Sequence, residues 1–200
     1  MDTEPTPVLV GLSGRAGSDK DTAASLLVSR HDFTAYAFST PLQDSLLKMD
    51  PFVDNRVRLR SVVDEMGWKS ATAHQRYGST IRRYMVALGA ALRSQFGPDL
   101  LVRRLHEQLL DDYGPELTGA RVVVRDVRLA DEARFITSLG GRVISVVQPA
   151  VRPLPHDLRD ELPDDLVHGS ATAGGDPDRL DRQLSTLLDL PARARKDALL

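Results

Sequence analysis

The chain has 200 residues, of which 42% are hydrophobic and 27% are charged, and these values predict one soluble globular domain with a sizeable core. Its formal net charge of −2 argues against a basic surface that attracts nucleic acid or membranes. The absence of cysteine excludes disulfides, a thiolate nucleophile and a cysteine-bound metal. The acidic, polar start is unlike a signal peptide, and no apolar run approaches the length of a membrane span, so we expect a cytoplasmic protein.

A strand, a loop and a helix are predicted near the N-terminus. Residues 8–12 form an apolar run typical of a buried strand, and residues 20–29 follow helical spacing. The loop between them contains Gly14, Arg15, Ala16, Gly17, Ser18, Asp19, Lys20, Asp21 and Thr22. A glycine-bearing loop in this setting directs backbone N–H groups and the positive end of a helix dipole toward one anion. The pattern therefore predicts a phosphate-binding loop, with Lys20 reaching the outer phosphates of a nucleotide.

One position in this loop departs from the GxxxxGK pattern, because Asp19 stands where the pattern has glycine. Two unit charges about 4 Å apart repel by roughly 4 kcal/mol at an effective dielectric constant of about 20, so a carboxylate there opposes phosphate binding. Aspartate is also favourable at a helix start, where it caps the first turn. The sequence leaves open whether Asp19 only caps the helix or also weakens the phosphate site.

The remaining elements alternate along the chain. We predict strands at residues 34–38, 121–124, 142–147 and 165–168, helices at residues 41–50, 79–95, 100–110, 129–139 and 176–188, a charged helical insert over a cleft at residues 52–78, a lid-like loop at residues 149–164 and a flexible connection at residues 169–175. This alternation predicts an α/β fold in which a mostly parallel sheet has helices on both faces. No linker interrupts the chain, so residues 1–200 are interpreted as a single domain.

Three groups of polar residues follow predicted strands. They are the loop at residues 14–22, Thr40 after the second strand, and Asp126 with Arg128 after the third. Ligands of parallel sheets bind outside the carboxyl ends of the strands, where these groups are expected to meet. The three groups together therefore predict one binding site.

The order and spacing of these segments resemble the P-loop deoxynucleoside monophosphate kinases of the bacteriophage type. The resemblance extends over most of the chain, and it is carried by residues 11–18, 20–23, 37–42 and 64–68, Leu88, Gly89, Arg93, residues 97–99, Val102, residues 126–128, Glu132, Ala133, residues 139–141 and His156. It implies a three-layer P-loop kinase fold. It also implies the transfer of the terminal phosphoryl group of ATP, with Mg²⁺, to a deoxynucleoside monophosphate.

The resemblance also implies roles for individual residues. Lys20 would contact the outer phosphates of ATP, and Thr22, or Asp21 through water, would lie near Mg²⁺. Arg93 and Arg128 would hold the acceptor phosphate and act as catalytic cations; the alternative for Arg93 is an ordinary surface charge on a helix. Thr40 and Asp126 would complete the acceptor site, beneath the insert at residues 52–78. The expected partner is a nucleotide rather than nucleic acid or a membrane, and a homodimer is left open.

Three departures from the family pattern keep other functions open. Asp19 replaces a loop glycine, residues 89–91 read Gly-Ala-Ala where the family has Gly-Thr-Glu or Gly-Thr-Asp, and the stretch after His156 lacks the family's serine and glutamate. The leading hypothesis is a deoxynucleoside monophosphate kinase. The alternative is a non-catalytic relative that binds nucleotide weakly or binds a protein partner, and a third class is another phosphotransferase such as a dephospho-coenzyme A kinase.

Overall fold

The computed structural model describes residues 8–15, 17–149 and 162–190. Residue contacts divide the chain into two compact units, residues 1–38 with 105–200 and residues 39–104. The interpretation of residues 1–200 as a single domain stays a prediction.

Seven strands and seven helices lie in the described part of the chain. The strands are β1 (Val8–Ser13), β2 (Thr34–Tyr36), β3 (Phe52–Asp54), β4 (Val57–Arg58), β5 (Arg121–Val124), β6 (Arg142–Val147) and β7 (Gly169–Thr172). The helices are α1 (Lys20–His31), α2 (Thr40–Met49), α3 (Leu59–Ala73), α4 (Gly78–Phe96), α5 (Leu100–Tyr113), α6 (Ala130–Ser138) and α7 (Pro177–Leu187).

The first unit is built on a five-stranded sheet with the strand order β2-β5-β1-β6-β7. Every pairing in this sheet is parallel, among the residues described. The central strand β1 is buried along most of its length, which explains its continuous apolar sequence, since both faces of the sheet are covered. The carboxyl end of β1 leads directly into the glycine-bearing loop, so the loop starts from the middle of the sheet.

Helices cover this sheet on both faces. On one face, Val10, Leu12 and Ile144 form a core with residues of α1 and α7, including Leu27 and Leu184. On the other face, α6 approaches Gly11 so closely that an added Cβ would lie 3.4 Å from Cγ1 of Ile136. The predicted fold class, a mostly parallel α/β sheet with helices on both faces, is confirmed.

The last strand differs from the prediction. Residues 165–168 are not a strand, because Asp164–Leu166 form a short 3₁₀ helix. The strand is β7, inside the stretch that we interpreted as a flexible connection, and it pairs in register with β6. Its sequence, Gly-Ser-Ala-Thr, has few of the residues that favour strands. Tertiary packing selects it instead, since a Cβ on Gly169 would lie 2.6 Å from Cδ2 of Leu187 in α7.

The second unit, residues 39–104, contains α2, α3, α4 and the β3–β4 hairpin. Its core consists of the buried side chains of Leu46, Val53, Leu59, Val62, Ala71 and Ile81. The predicted helical insert at residues 52–78 is therefore only partly helical, because it begins with the hairpin. The helix α3 is kinked at Gly67, whose φ of 74° and ψ of 162° are not helical.

Candidate phosphate-binding site

The loop between β1 and α1 is packed tightly against β6. Gly14 has a φ of 132°, and a Cβ at this position would lie 2.3 Å from the carbonyl oxygen of Val146. Within the loop, the backbone N–H of Ser18 donates to the carbonyl of Arg15 at 3.1 Å. Glycine at position 14 is therefore required by both the backbone conformation and the space available. Ala16, which we also predicted to belong to the loop, lies outside the described residues.

Asp19 has a left-handed backbone conformation, with a φ of 70° and a ψ of 28°. This conformation explains why the GxxxxGK pattern has glycine here, and aspartate is among the residue types that tolerate it best. Asp19 lies at the N-cap position of α1, as predicted, but its side chain accepts no hydrogen bond from a backbone N–H of the helix. Its Oδ1 instead accepts a 2.5 Å hydrogen bond from the hydroxyl of Thr22.

Lys20 begins α1, and its ammonium group lies within the loop that precedes it. Nζ donates to the carbonyl oxygen of Gly14 at 2.5 Å and to that of Arg15 at 2.8 Å, and it lies 3.5 Å from Oγ of Ser18. These contacts place a positive charge beside the N-terminus of α1, which carries a partial positive charge of its own. The loop, the helix start and Lys20 thus form one cationic surface that suits phosphate.

Two residues were predicted to lie near Mg²⁺. Thr22 follows Lys20 by two residues in α1, and its hydroxyl donates to Asp19, which leaves its lone pairs for a further ligand. Asp21 lies between Lys20 and Thr22, in the first turn of α1. Among the residues described, no group of three or more histidine or acidic side chains could hold a metal ion by itself. This donor set fits Mg²⁺, which proteins usually bind through one or two oxygen ligands together with water and phosphate.

The segment after β5 contains Asp126 and Arg128. Oδ1 of Asp126 accepts a 2.8 Å hydrogen bond from the backbone N–H of Phe38, so it joins the end of β5 to the chain that follows β2. The side chain of Arg128 is exposed, and its backbone N–H donates to Oε2 of Glu132 at 2.7 Å. The same oxygen accepts from the N–H of Leu129 at 3.0 Å. Glu132 therefore fixes the backbone that carries Arg128.

Glu132 is a residue of this segment to which we assigned no role from the sequence. It is only 6% exposed, and burial raises the pKa of its carboxyl group to about 7. The two backbone N–H bonds and the charge of Arg128 lower the pKa, and the charge of Asp126 raises it, but burial has the larger effect. A glutamate three residues after the start of a helix is a capping signal, and this signal could have identified it.

We expect the Glu132→Gln variant to lose a pH dependence of stability that the wild type has. The folded-state pKa of about 7 lies above the ordinary value of 4.5, so the contribution of Glu132 is fully present below pH 4.5 and is lost as the pH rises through 7. Across this pH range the contribution of Glu132 to the free energy of unfolding of the wild type falls by about 3 kcal/mol. Urea unfolding between pH 4.5 and 8 measures it, with the exposed Glu116→Gln as the control. Equal slopes for wild type and Glu132→Gln would contradict the assignment.

Thr40 and Arg93 lie in the second unit. Thr40 is the first residue of α2 and follows the N-cap residue Ser39. Arg93 lies in α4, four residues after Gly89. A Cβ added to Gly89 would lie 3.3 Å from Nη1 of Arg93 and 3.2 Å from Cδ1 of Leu42 in α2. Gly89 therefore makes room for the guanidinium group beside α2, so Arg93 and the start of α2 are brought near each other.

The structure thus groups the predicted site residues into two sets. The loop with Lys20, and the β5 segment with Asp126 and Arg128, belong to the first unit, whereas Thr40 and Arg93 belong to the second. Most of the predicted lid, residues 149–164, lies outside the described residues, and so does His156.

Comparison with known proteins finds a relative in sequence. The chain is 29% identical over 152 residues to a protein of Acanthamoeba polyphaga mimivirus named "Putative deoxynucleotide monophosphate kinase", a match that covers 72% of this chain and 76% of that protein. The predicted resemblance is confirmed. No protein-family model matches the chain.

Solved structures similar to this chain include TT1252 from Thermus thermophilus, with a TM-score of 0.48, 19% identity and coverage of 92% of this chain and 98% of that one. Others are shikimate kinase from Aquifex aeolicus, with a TM-score of 0.46, 13% identity and coverage of 90% and 96%, and dephospho-CoA kinase from Campylobacter jejuni, with a TM-score of 0.44, 12% identity and coverage of 92% and 98%. All three scores lie below 0.5, so the fold assignment rests on the strand order and on the β1–loop–α1 geometry.

None of the helices described here is both long enough and apolar enough to cross a membrane.

Proposed function

We propose that the protein transfers the terminal phosphoryl group of ATP to a deoxynucleoside monophosphate. The observation that carries this proposal is the glycine-bearing loop between β1 and α1, in which the Lys20 ammonium group lies 2.5 Å from the carbonyl of Gly14. The similarity to the mimivirus protein supports phosphoryl transfer in general. The choice of deoxynucleoside monophosphates as the acceptor class comes from the sequence resemblance.

In this proposal the loop binds the donor phosphates. The positive end of the α1 dipole lies at the loop and favours the binding of phosphate there. The ammonium group of Lys20 exchanges its loop carbonyls for the outer phosphates and stabilises the negative charge that develops on them during transfer. Mg²⁺–ATP supplies the transferable phosphoryl group when bound, and Thr22 and Asp21 are the residues that would hold the hydrated metal.

The acceptor site is proposed at the other polar segments. Arg128, whose backbone is held by Glu132, binds the acceptor phosphate, and Asp126 keeps the adjoining strand end in place through Phe38. In the second unit, the resemblance assigns Arg93 to the acceptor as a cation and Thr40 as a hydroxyl. Groups of these kinds orient an acceptor and neutralise its charge, which is most of what phosphoryl transfer requires of a protein.

One observation favours the alternative of a diverged, non-catalytic relative. Asp19 directly precedes Lys20 in the loop, its carboxylate accepts a hydrogen bond from Thr22, and a negative charge in the loop opposes the binding of phosphate. Ala90 and Ala91 also lack the hydroxyl and carboxylate that the kinase pattern has after Gly89. In this alternative the fold is kept while nucleotide binds weakly.

Thermal unfolding in the presence of ligands tests the proposal. A ligand at 100 times its dissociation constant adds about 2.7 kcal/mol to the free energy of unfolding, which is readily measured. We expect Mg²⁺–ATP and at least one of the four deoxynucleoside monophosphates to raise the midpoint of unfolding. A rise with dephospho-coenzyme A instead would identify the other phosphotransferase class, and no rise with any nucleotide would contradict the proposal.

A further inference from the structure

Three serines form a row across three neighbouring strands of the parallel sheet. Ser13 is the last residue of β1, and it is the register partner of Ser145 in β6. Ser145 is in turn the register partner of Ser170 in β7. Register partners in adjacent parallel strands direct their side chains to the same face, so the three hydroxyls lie side by side on one face of the sheet.

None of the three serines makes a side-chain hydrogen bond with a residue that the structure describes. Ser13 is only 3% exposed, so its hydroxyl is withdrawn from bulk water at the centre of the sheet. A buried polar group normally has a hydrogen-bond partner, and an unpaired one is unfavourable for the folded protein. Ser145 is half-buried and Ser170 is exposed, so the row runs from the buried centre of the sheet toward solvent. The buried hydroxyl of Ser13 at its inner end indicates a surface made for a polar ligand rather than for packing.

The three serines line a cavity of about 400 Å³ that adjoins the phosphate-binding loop. Gly14, Arg15 and Ser18 of the loop line the same cavity, so a ligand in it would contact the loop directly. Gln148 and Asp164 add an amide and a carboxylate to its wall, and Leu162, Val147 and Val167 add apolar surface. Cavities of roughly 300–1,000 Å³ with apolar walls and a few placed polar groups are typical of small-ligand sites.

We propose that this cavity binds the nucleoside half of the nucleotide whose phosphates lie on the loop, with the serine row contacting heteroatoms of the base or sugar. The inference rests on the proposed function and extends it, since it assigns residues that recognise the donor beyond its phosphates. A nucleoside matches the cavity in chemistry, because a base offers apolar faces and a polar edge, and a sugar offers hydroxyls. The mixture of apolar residues, hydroxyls, amide and carboxylate provides for both.

Calorimetric titration with two probes separates the cavity from the loop. The probes are Mg²⁺–ATP, which has a nucleoside, and Mg²⁺–tripolyphosphate, which has none. We expect Ser13→Ala and Ser145→Ala each to weaken ATP binding by about five- to ten-fold, the value of a typical hydrogen bond, and to leave tripolyphosphate binding unchanged. Lys20→Ala should weaken both probes. The control Ser138→Ala, on α6 and outside the cavity lining, should change neither.

A stability measurement adds a second criterion. Ser13→Ala removes a hydroxyl that has no hydrogen-bond partner among the described residues, so its midpoint of thermal unfolding without ligand should equal or exceed that of the wild type. Unchanged stability with weaker ATP binding supports a ligand role for the hydroxyl. Loss of stability, with equal weakening of both probes, would show that the serines serve the loop's fold and would overturn the inference.

The failure of the proposed function gives a different result. If purified wild type transfers no phosphoryl group, the proposed function fails, but weaker ATP binding by the serine variants would still uphold the cavity assignment. If wild type does not bind ATP, titration with adenosine, guanosine, cytidine and thymidine tests the cavity alone. Binding of one nucleoside that Ser145→Ala weakens supports the inference, whereas binding of none overturns it. Serine variants with wild-type ATP affinity overturn it as well.

Discussion

Replacement of Lys20 by alanine is expected to lower the rate of phosphoryl transfer by about 10²- to 10³-fold. The expectation follows from the position of the ammonium group, which lies within the loop at 2.5 Å from the carbonyl of Gly14 and next to the start of α1. A cation positioned there stabilises charge that develops on the transferring group, and removing one such group from an enzyme typically costs this factor. Steady-state turnover of both proteins with Mg²⁺–ATP and a deoxynucleoside monophosphate measures it.

The same variant should remain folded. Lys20 is half-buried and packs in no apolar core, so the loss of its bonds to two loop carbonyls should lower the free energy of unfolding by about 1–2 kcal/mol. Lys48→Ala, in the last turn of α2, is the matched control and should keep both turnover and stability. Wild-type turnover in a folded Lys20→Ala protein would contradict the catalytic assignment of the loop.

Replacement of Asp19 by glycine is expected to tighten ATP binding by about ten- to a thousand-fold. The upper value corresponds to the repulsion of two unit charges about 4 Å apart at an effective dielectric constant of about 20, and the lower value allows for screening by solvent and salt. The bond from Thr22 to Oδ1 of Asp19 supports a value below the upper limit, because it holds the carboxylate on the helix side of the loop. Calorimetric titration with Mg²⁺–ATP at fixed salt measures the change.

The left-handed backbone of Asp19 changes what we expect for stability. From the sequence, glycine should slightly destabilise the protein without ligand, because it loosens the unfolded chain and removes a charge at a helix start. In the structure the residue has a φ of 70°, so glycine also relieves backbone strain, and the two effects nearly cancel, within about 1 kcal/mol.

Asp19→Asn separates charge from bulk, because asparagine keeps the size of the side chain and tolerates the same backbone conformation. If charge is the obstacle, the asparagine variant should recover most of the gain in ATP affinity. If bulk is the obstacle, only the glycine variant should recover it. Equal affinity of wild type and Asp19→Gly would show that Asp19 does not obstruct the site.

The central part of the fold was predictable from the sequence because its signals are local and strong. The apolar run of β1 and the run of β5 are strands that the sheet buries on both faces, and such strands have continuous hydrophobic sequences. The loop after β1 was predictable because its glycines are set by backbone geometry, as the φ of 132° at Gly14 illustrates. These features depend on residues close together in the chain.

The parts that were missed depend on contacts between distant residues. Strand β7 has a weak local signal and is selected by its pairing with β6 and by the contact of Gly169 with Leu187. The role of Asp19 depends on its left-handed φ angle, which the hydrophobic periodicity of the sequence does not predict. The serine row is visible only once the register of β1, β6 and β7 is known, because its members are far apart in sequence.

The most direct test of the central claim is the formation of product. Purified protein is incubated with Mg²⁺–ATP and each of the four deoxynucleoside monophosphates in turn, and the nucleotides are separated and quantified by chromatography. We expect at least one monophosphate to be converted to its diphosphate with an equal amount of ADP, and Lys20→Ala to lower the rate at least 10²-fold. If the wild type forms no more diphosphate than the Lys20→Ala protein from any of the four monophosphates, the proposed phosphoryl transfer is contradicted.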